Sequence, residues 1–270
     1  MDRLERALQK AREQRETVAA KESADAVARV ANAPQAPPNA PSFKTKKIVV
    51  PENELERHRI VARMTRNSNA DVFRILRTKV LRHLQDAKLT TVAVTSPNYG
   101  DGKTTVAVNL ALSLALDVKQ TVLLVDLDLR DPTVNKCLGI EPDIGLSDYF
   151  VDDVPVAQCL VNPGIDRLVI LPVRNRLEAS SEALGTPKMA KLAHELKTRY
   201  PDRIVIYDMP PILAQDDVIA FLPLVDAVLL VVRDAVTPSE DIRQCMHALE
   251  GANLIGTVLN NSVEKGNAHE

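Results

Sequence analysis

The sequence predicts an α/β fold: a doubly wound, mostly parallel sheet with helices on both faces. Three observations predict it. Short runs rich in β-branched residues recur at 91–95 (TVAVT), 121–126 (TVLLVD), 167–171 (RLVIL), 203–208 (RIVIYD), 226–233 (DAVLLVVR) and 254–259 (LIGTVL). Several carry apolar residues at consecutive positions, the pattern of strands covered on both faces. Helix-patterned stretches lie between many of them, and such alternation leads to parallel pairing through crossovers.

Taken in order, residues 1–30 favour a helix, with Leu4, Leu8 and Ala11 as a thin apolar stripe. So few apolar residues cannot hold an isolated helix, so this piece is expected to fray or to dock on something. Residues 31–46 contain ANAPQAPPNAPS, an Ala/Pro-rich run expected to form a semi-rigid linker. The folded domain is expected over 47–265, beginning near KIVVP. Within 70–84, Phe73, Leu76, Val80 and Leu84 make a core-facing helical stripe. In 187–199 the stripe is Met189, Leu192, Ala193 and Leu196. Around 237–250, Thr237, Pro238 and Glu240 predict a capping box with proline at the first helical position, and Gly251 a stop. No internal repeat is evident.

Composition narrows the function. The chain has 270 residues and 29.7 kDa, and its 45% apolar content suffices for a large core. A net charge of −2, aromatics at 3% and no tryptophan argue against a nucleic-acid surface or a base-stacking platform. Cys137, Cys159 and Cys245 are far apart and form no C-x-x-C pair, so reduced, buried thiols are expected. The opening MDRLERALQKAREQRETVAAK lacks the apolar core of a secretory signal, and runs such as 227–232 are too short to span a bilayer. A cytoplasmic location is expected, with any membrane contact made through a partner.

The chemistry concentrates at VTSPNYGDGKTTVAVNL (94–110). Against the phosphate-loop pattern G-x-x-x-x-G-K-[ST], the first glycine is replaced by Pro97, while Gly102, Lys103 and Thr104 fit. Gly100 and Gly102 permit a tight backbone whose N–H groups face phosphate oxygens. Lys103 can reach the outer phosphates, the Thr104 hydroxyl can ligate Mg²⁺, and the helix starting there adds its positive end. The candidate nucleotide-binding set is Asn98, Gly100, Asp101, Gly102, Lys103, Thr104 and Thr105. The plain alternative, a glycine turn with an exposed lysine, is weakened by the strand before it, the helix after it and two further acidic strand ends.

Those ends are TVLLVDLDLRDP (121–132) and RIVIYDMPP (203–211). In the first, Asp126, Asp128 and Arg130 alternate, so an extended chain places them on one side, where the acids can converge beside a metal ion. In the second, Asp208 ends an apolar strand, as a Mg²⁺ ligand of a phosphate-loop enzyme does. Pro210 and Pro211 stiffen the exit. Solvated turn carboxylates are the bland reading of both. Asp216 and Asp217 are weaker candidates that can simply cap the next helix.

Together these stretches resemble the bacterial tyrosine kinases of the CpsD/CapB type, a P-loop branch related to the ParA/MinD ATPases. The matches are the Walker A SPNYGDGKTT, the Walker A′ LLVDLDLRDP and the Walker B IVIYDMPP, with echoes in FRILRTKV, GLSDYF, SSEALGTPKM, VDAVLLVVRDAVT and LIGTVLNN, spanning about residues 70–262. ParA and MinD relatives carry a second lysine at the position of Asn98; its absence favours the kinase branch, as does Arg130. The resemblance implies a P-loop NTPase sheet, ATP and Mg²⁺ as cofactors, and transfer of the γ-phosphate to protein tyrosine in exopolysaccharide or capsule synthesis. It makes Lys103, Asp126, Asp128 and Asp208 the catalytic set and Thr104, Asp126, Asp128 and Asp208 the metal ligands, with Asp126 and Asp128 dividing metal binding and hydroxyl activation in an order left open.

It also implies partners. A transmembrane polysaccharide chain-length regulator would bring the chain to the inner face of the membrane, and the N-terminal helix with its linker resembles a tether to it. Asp71, Arg74 and Arg77 correspond to a family motif that packs subunits into a homo-oligomeric ring, with Asp one methylene shorter than the family's Glu; a solvated charged ridge is the alternative. The family's C-terminal tyrosine cluster has no counterpart, since the chain has four tyrosines and none follows Tyr207. Tyr207 falls in a core strand, Tyr99 in the phosphate loop, and Tyr149 is the expected exposed acceptor unless it merely packs. An ATP-dependent regulator without kinase activity and a ParA/MinD-like positioning ATPase remain as alternatives.

Overall fold

A computed structural model describes residues 45–64, 68–200 and 202–262; the expected N-terminal helix and most of the linker lie outside them. The six expected strands form, as β2 (Thr91–Thr95), β3 (Thr121–Asp126), β5 (Leu168–Leu171), β6 (Arg203–Asp208), β7 (Ala227–Arg233) and β8 (Leu254–Asn260). Two strands of two residues each, β1 (Lys46–Lys47) and β4 (Val161–Asn162), extend one edge and are too short to leave a periodic signal. The sheet order is β1-β4-β5-β3-β6-β2-β7-β8, and only the β4–β5 pair is antiparallel.

The helices are α1 (Glu52–Arg57), α2 (Ser68–Ala87), α3 (Lys103–Ala115), α4 (Val134–Leu138), α5 (Leu146–Asp152), α6 (Val156–Cys159), α7 (Ser180–Leu184), α8 (Pro187–Thr198), α9 (Asp217–Phe221) and α10 (Ser239–Ala248). Because strand side chains alternate, the sheet feeds two cores. Val122, Leu124, Ile204 and Ile206 face α2 and α3, packing with Val80, Leu84, Leu110 and Leu114. Leu123, Val125, Val205 and Tyr207 face the other way, against Met189, Leu192, Leu196 and Phe221. The consecutive apolar runs thus mark strands buried on both sides. All three cysteines are free and buried.

Capping shows where local pattern holds and where it yields. At α8 the Thr186 hydroxyl accepts the Met189 N–H at 3.1 Å, and Pro187 occupies the first turn. At α10 the expected capping box does not form. Pro238 is the N-cap without a side-chain bond, and Thr237 instead accepts the Arg233 N–H and donates to Asp101 at 2.8 Å.

The order places β2 at a switch point. The chain leaves it towards β3 and β5 on one side and later returns to β7 and β8 on the other. Ligands of doubly wound sheets bind beyond the strand ends at such a point. Here Asp126 of β3 and Asp208 of β6 are direct register partners, with Val94 of β2 opposite Asp208.

Candidate active site

The loop between β2 and α3 is shaped by its own sequence. Ser96 donates to the Asn98 carbonyl at 2.8 Å, and the Asn98 N–H donates to Asp101 at 2.9 Å. Gly100 and Gly102 take φ values of +85° and +97°, a region disfavoured for residues with a Cβ. At Gly102 the requirement is double, because an added Cβ would sit 2.0 Å from Asn260 Nδ2. That amide donates to the Asp101 carbonyl at 2.8 Å, bracing the loop from β8. The loop is also held from below: Thr95 donates to the Pro210 carbonyl at 2.7 Å, and the Ile212 N–H to Ser96 O at 2.9 Å.

Lys103 opens α3 and is buried with Thr104. Its Nζ donates to Asp128 Oδ2 at 2.9 Å and lies 3.2 Å from Thr104 Oγ1. Thr104 donates to Asp208 Oδ2 at 2.7 Å and receives a hydrogen bond from Thr133 at 3.0 Å. Asp126, fully buried, accepts the Asp128 N–H at 3.2 Å and the Val134 N–H at 3.1 Å. Asp128 also accepts the Asp131 N–H at 3.1 Å. Asp208 Oδ1, in contrast, is buried with no hydrogen-bond partner.

Crowding and burial shift the proton affinities of Lys103, Asp126 and Asp208. Burial would lower the Lys103 pKa, but Asp208 and Asp128 outweigh it and hold the ammonium above its ordinary range. Burial pushes Asp208 up to about 6, against the pull of Lys103 and Thr104. Burial and then the Asp208 charge raise Asp126 well above a normal carboxylate. The site therefore carries more negative charge than its own cation relieves.

The candidate residues divide by geometry. Lys103, Thr104, Asp126, Asp128 and Asp208 come together. Gly100, Gly102 and Thr105 border a cavity of about 230 Å³ whose other walls are Arg59, Arg233, Asn260 and Asn261. The side chains of Asn98 and Asp101 brace the loop. Asn98 Nδ2 donates to Asp241 at 2.6 Å, and both Asp101 oxygens brace the loop through Asn98 and Thr237. Asp126 is also engaged by a backbone N–H group on each of its oxygens.

Among the described residues no group of three or more His, Cys, Asp or Glu side chains is arranged as a metal cage. A Mg²⁺ carried mainly by substrate phosphates needs only one or two protein oxygens. The unpartnered Asp208 Oδ1 beside the Thr104 hydroxyl fits that demand. Thr133 and the cavity walls were not legible in the sequence; neither an isolated hydroxyl nor an asparagine at the end of a distant strand belongs to a local pattern.

Further out, Arg130 Nε donates to Ser180 at 2.7 Å, and Ser180 donates to buried Asp217 at 2.7 Å. Asp217 is thus a buried anchor rather than a helix cap. On α2, Asp71 pairs with Arg74, whereas Arg77 donates to the Ser113 carbonyl at 3.0 Å. The tyrosines rank differently from expectation. Tyr149 is half-buried, with the Lys188 ammonium 4.8 Å from its ring centroid and Phe150 packed edge-on at 5.4 Å. Tyr207 is fully buried against Phe221. Tyr99 is 56% exposed.

Residues 89–264 match the AAA domain family model. The chain is 30% identical over 210 residues to the tyrosine-protein kinase YwqD of Bacillus subtilis, covering 77% of this chain and 87% of that protein. It is 28% identical over 207 residues to the succinoglycan biosynthesis transport protein ExoP of Rhizobium meliloti, covering 75% of this chain but only 26% of ExoP. Among solved structures, the VpsO kinase domain superposes with a TM-score of 0.66 at 29% identity, over 77% of this chain and 98% of that one. The MinD of Pyrococcus horikoshii complexed with Mg-ADP, at 24% identity and a TM-score of 0.53 over 63% of this chain and 69% of that one, shares the fold.

Proposed function

Because the chain belongs to the AAA domain family of P-loop proteins and, within it, to the bacterial tyrosine kinases, we propose that it transfers the ATP γ-phosphoryl group to protein tyrosine. One observation carries this reading. At the start of α3 the Lys103 ammonium and the Thr104 hydroxyl are each held by a different strand-tip carboxylate, Asp128 and Asp208.

The Lys103 ammonium binds the outer phosphates and leaves Asp128 as it does so. That exchange removes the cation from Asp128 and frees a carboxylate to accept the tyrosyl proton, which has an ordinary pKa near ~10. Asp126 holds the 126–134 turn in register through its two backbone contacts. Thr104 and Asp208 are the residues that hold Mg²⁺, which when bound neutralises phosphate charge as it develops. Gly100, Gly102 and the first N–H groups of α3 surround the phosphates, and the cavity walled by Arg59, Arg233 and Asn260 takes the nucleoside. The protein's task is positioning and charge stabilisation.

The physiological setting follows the relatives. The chain regulates exopolysaccharide or capsule synthesis from the cytoplasmic side of the membrane, activated by a transmembrane chain-length regulator. No helix among the described residues is long and apolar enough to cross a membrane itself. Subunits pack through α2, with Asp71 and Arg74 offered at the surface and Arg77 tying α2 to α3.

Radiolabelled ATP with Mg²⁺ and a tyrosine-containing acceptor tests the reaction: alkali-stable phosphotyrosine is expected. ATP hydrolysis without labelled protein would replace the kinase with a regulatory ATPase. Lys103→Ala should abolish nucleotide binding, and unchanged affinity would overturn the site.

A further inference from the structure

We infer that Tyr99, inside the phosphate loop, is a self-modification site through which one copy of the chain switches off nucleotide binding in another. The inference rests on the kinase reading above and adds the acceptor and its consequence.

Four tyrosines exist in the chain, all within the described residues, and the structure separates them. Tyr207 is sealed in the core against Phe221, with ring centroids 4.8 Å apart. Tyr200 lies beneath the Arg203 guanidinium, 3.9 Å from its ring centroid. Tyr149 is half-buried between Phe150 and Lys188. Tyr207 is reached only by opening the core, and Tyr149 and Tyr200 each have a ring face covered by a cation. Tyr99 alone of the four is exposed. It stands on a tight turn between Asn98 and Gly100, at the tip of a loop that a second molecule can approach. Its hydroxyl is met by the Gln215 side-chain amide from the segment after β6. Lys103 and Asp128 are buried whereas the Tyr99 side chain is exposed, so the phosphoryl donor is a second copy of the chain.

The step balances without further reagents. The Tyr99 oxygen of one copy forms the new O–P bond to the γ-phosphorus of ATP held by the other. The bond from that phosphorus to the bridging oxygen breaks, ADP leaves, and the phenolic proton passes to the donor copy's strand-tip carboxylate.

The product changes the acceptor's own loop. A phosphotyrosine brings a charge of about −1.5 to −2. Acids already flank the position: Asp241 is bonded to Asn98, Asp101 braces the turn from inside, and exposed Asp216 adjoins Gln215. Like charge beside these groups loosens the turn and repels the triphosphate that the same loop must surround. Glycine at 100, with nothing within 4 Å of a notional Cβ, leaves room for the turn to move.

The test uses the full chain. Wild-type protein is incubated with Mg-ATP, a glutamate–tyrosine copolymer and a Lys103→Arg copy as acceptor, and phosphopeptides are mapped by mass spectrometry. The wild-type tryptic peptide 89–103 contains Tyr99 as its sole tyrosine. Phosphate on Tyr99 of the Lys103→Arg acceptor, together with ATP binding at least about tenfold weaker in the isolated phosphorylated wild-type form, supports the inference. Copolymer phosphorylation with Tyr99 unmodified overturns it and leaves the kinase reading standing. Label on neither overturns both. Phosphate on Tyr99 with undiminished ATP affinity overturns the switch.

Discussion

Two aspartates at opposite ends of the same sheet have opposite electrical histories. Asp208, at the carboxyl tip of β6, is fully buried, leaves one oxygen without a partner and is pushed up to about 6 by burial. Asp226, just before β7 at the amino end, also suffers burial. There the Lys197 ammonium and the N–H groups of Thr90 and Thr91, each at 3.1 Å, more than offset it and hold its carboxyl below the usual range. Its own backbone is tied as well, since its N–H donates to Thr91 at 2.8 Å and its carbonyl accepts from Asn253 at 3.0 Å. Asp226 is finished by the fold. Asp208 is left with an unpartnered oxygen, which under the proposed function a phosphate-bound cation would occupy.

That contrast can be broken by substitution. The largest effect is expected from Asp208→Asn, which should lower Mg-ATP-dependent phosphotransfer by roughly 100- to 1000-fold, read in a single-turnover assay, as for loss of one electrostatic stabiliser. The nucleotide-free variant should nevertheless melt higher than wild type, because a strained carboxylate has been removed. A lower melting temperature would show that Asp208 is structural like its counterpart. Asp226→Ala should do the reverse. It leaves Lys197 and two N–H groups unpaired and should cost about 2–4 kcal/mol in urea unfolding, while nucleotide affinity of the folded protein stays unchanged.

A third test is pH. Asp208 binds protons more tightly folded than unfolded, so its contribution is fully present below about pH 4 and is lost as pH rises through about 6. The nucleotide-free protein should therefore lose on the order of 1–3 kcal/mol over that window relative to Asp208→Asn. Asp226 acts in the opposite sense, its stabilisation disappearing only as pH falls below 3.8. The smallest effect is expected at Thr237, which braces the phosphate loop by donating to Asp101 from the turn after β7. Thr237→Val should reduce stability by about 1 kcal/mol and ATP affinity severalfold, measured by thermal melts and titration calorimetry.

How much of this was legible from sequence depends on the distance over which a residue is specified. Strands β2, β3 and β5–β8 were legible because burial on both faces writes itself into consecutive apolar positions. The strand-tip acids were legible because a carboxylate ending such a run is conspicuous. β1 and β4 were not, since two residues carry no period. The capping box at Thr237 failed because a hydroxyl that satisfies the local pattern found a stronger partner, Asp101, from a distant part of the chain. The motif placed Asp101 and Asn98 in the phosphate loop but did not reveal that their side chains brace that loop. Tyr149 is covered by Lys188, a neighbour no spacing rule reveals.

The contact between Asn260 and the phosphate loop also bears on the order in which the loop and its supports are made. The loop is translated early, yet the amide that props its Asp101 carbonyl and closes the space above Gly102 belongs to the last strand of the sheet. A nascent chain still lacking β8 has Lys103, Thr104 and all three acids in hand but an unbraced cradle. The loop's support is therefore complete only once residue 260 is in place.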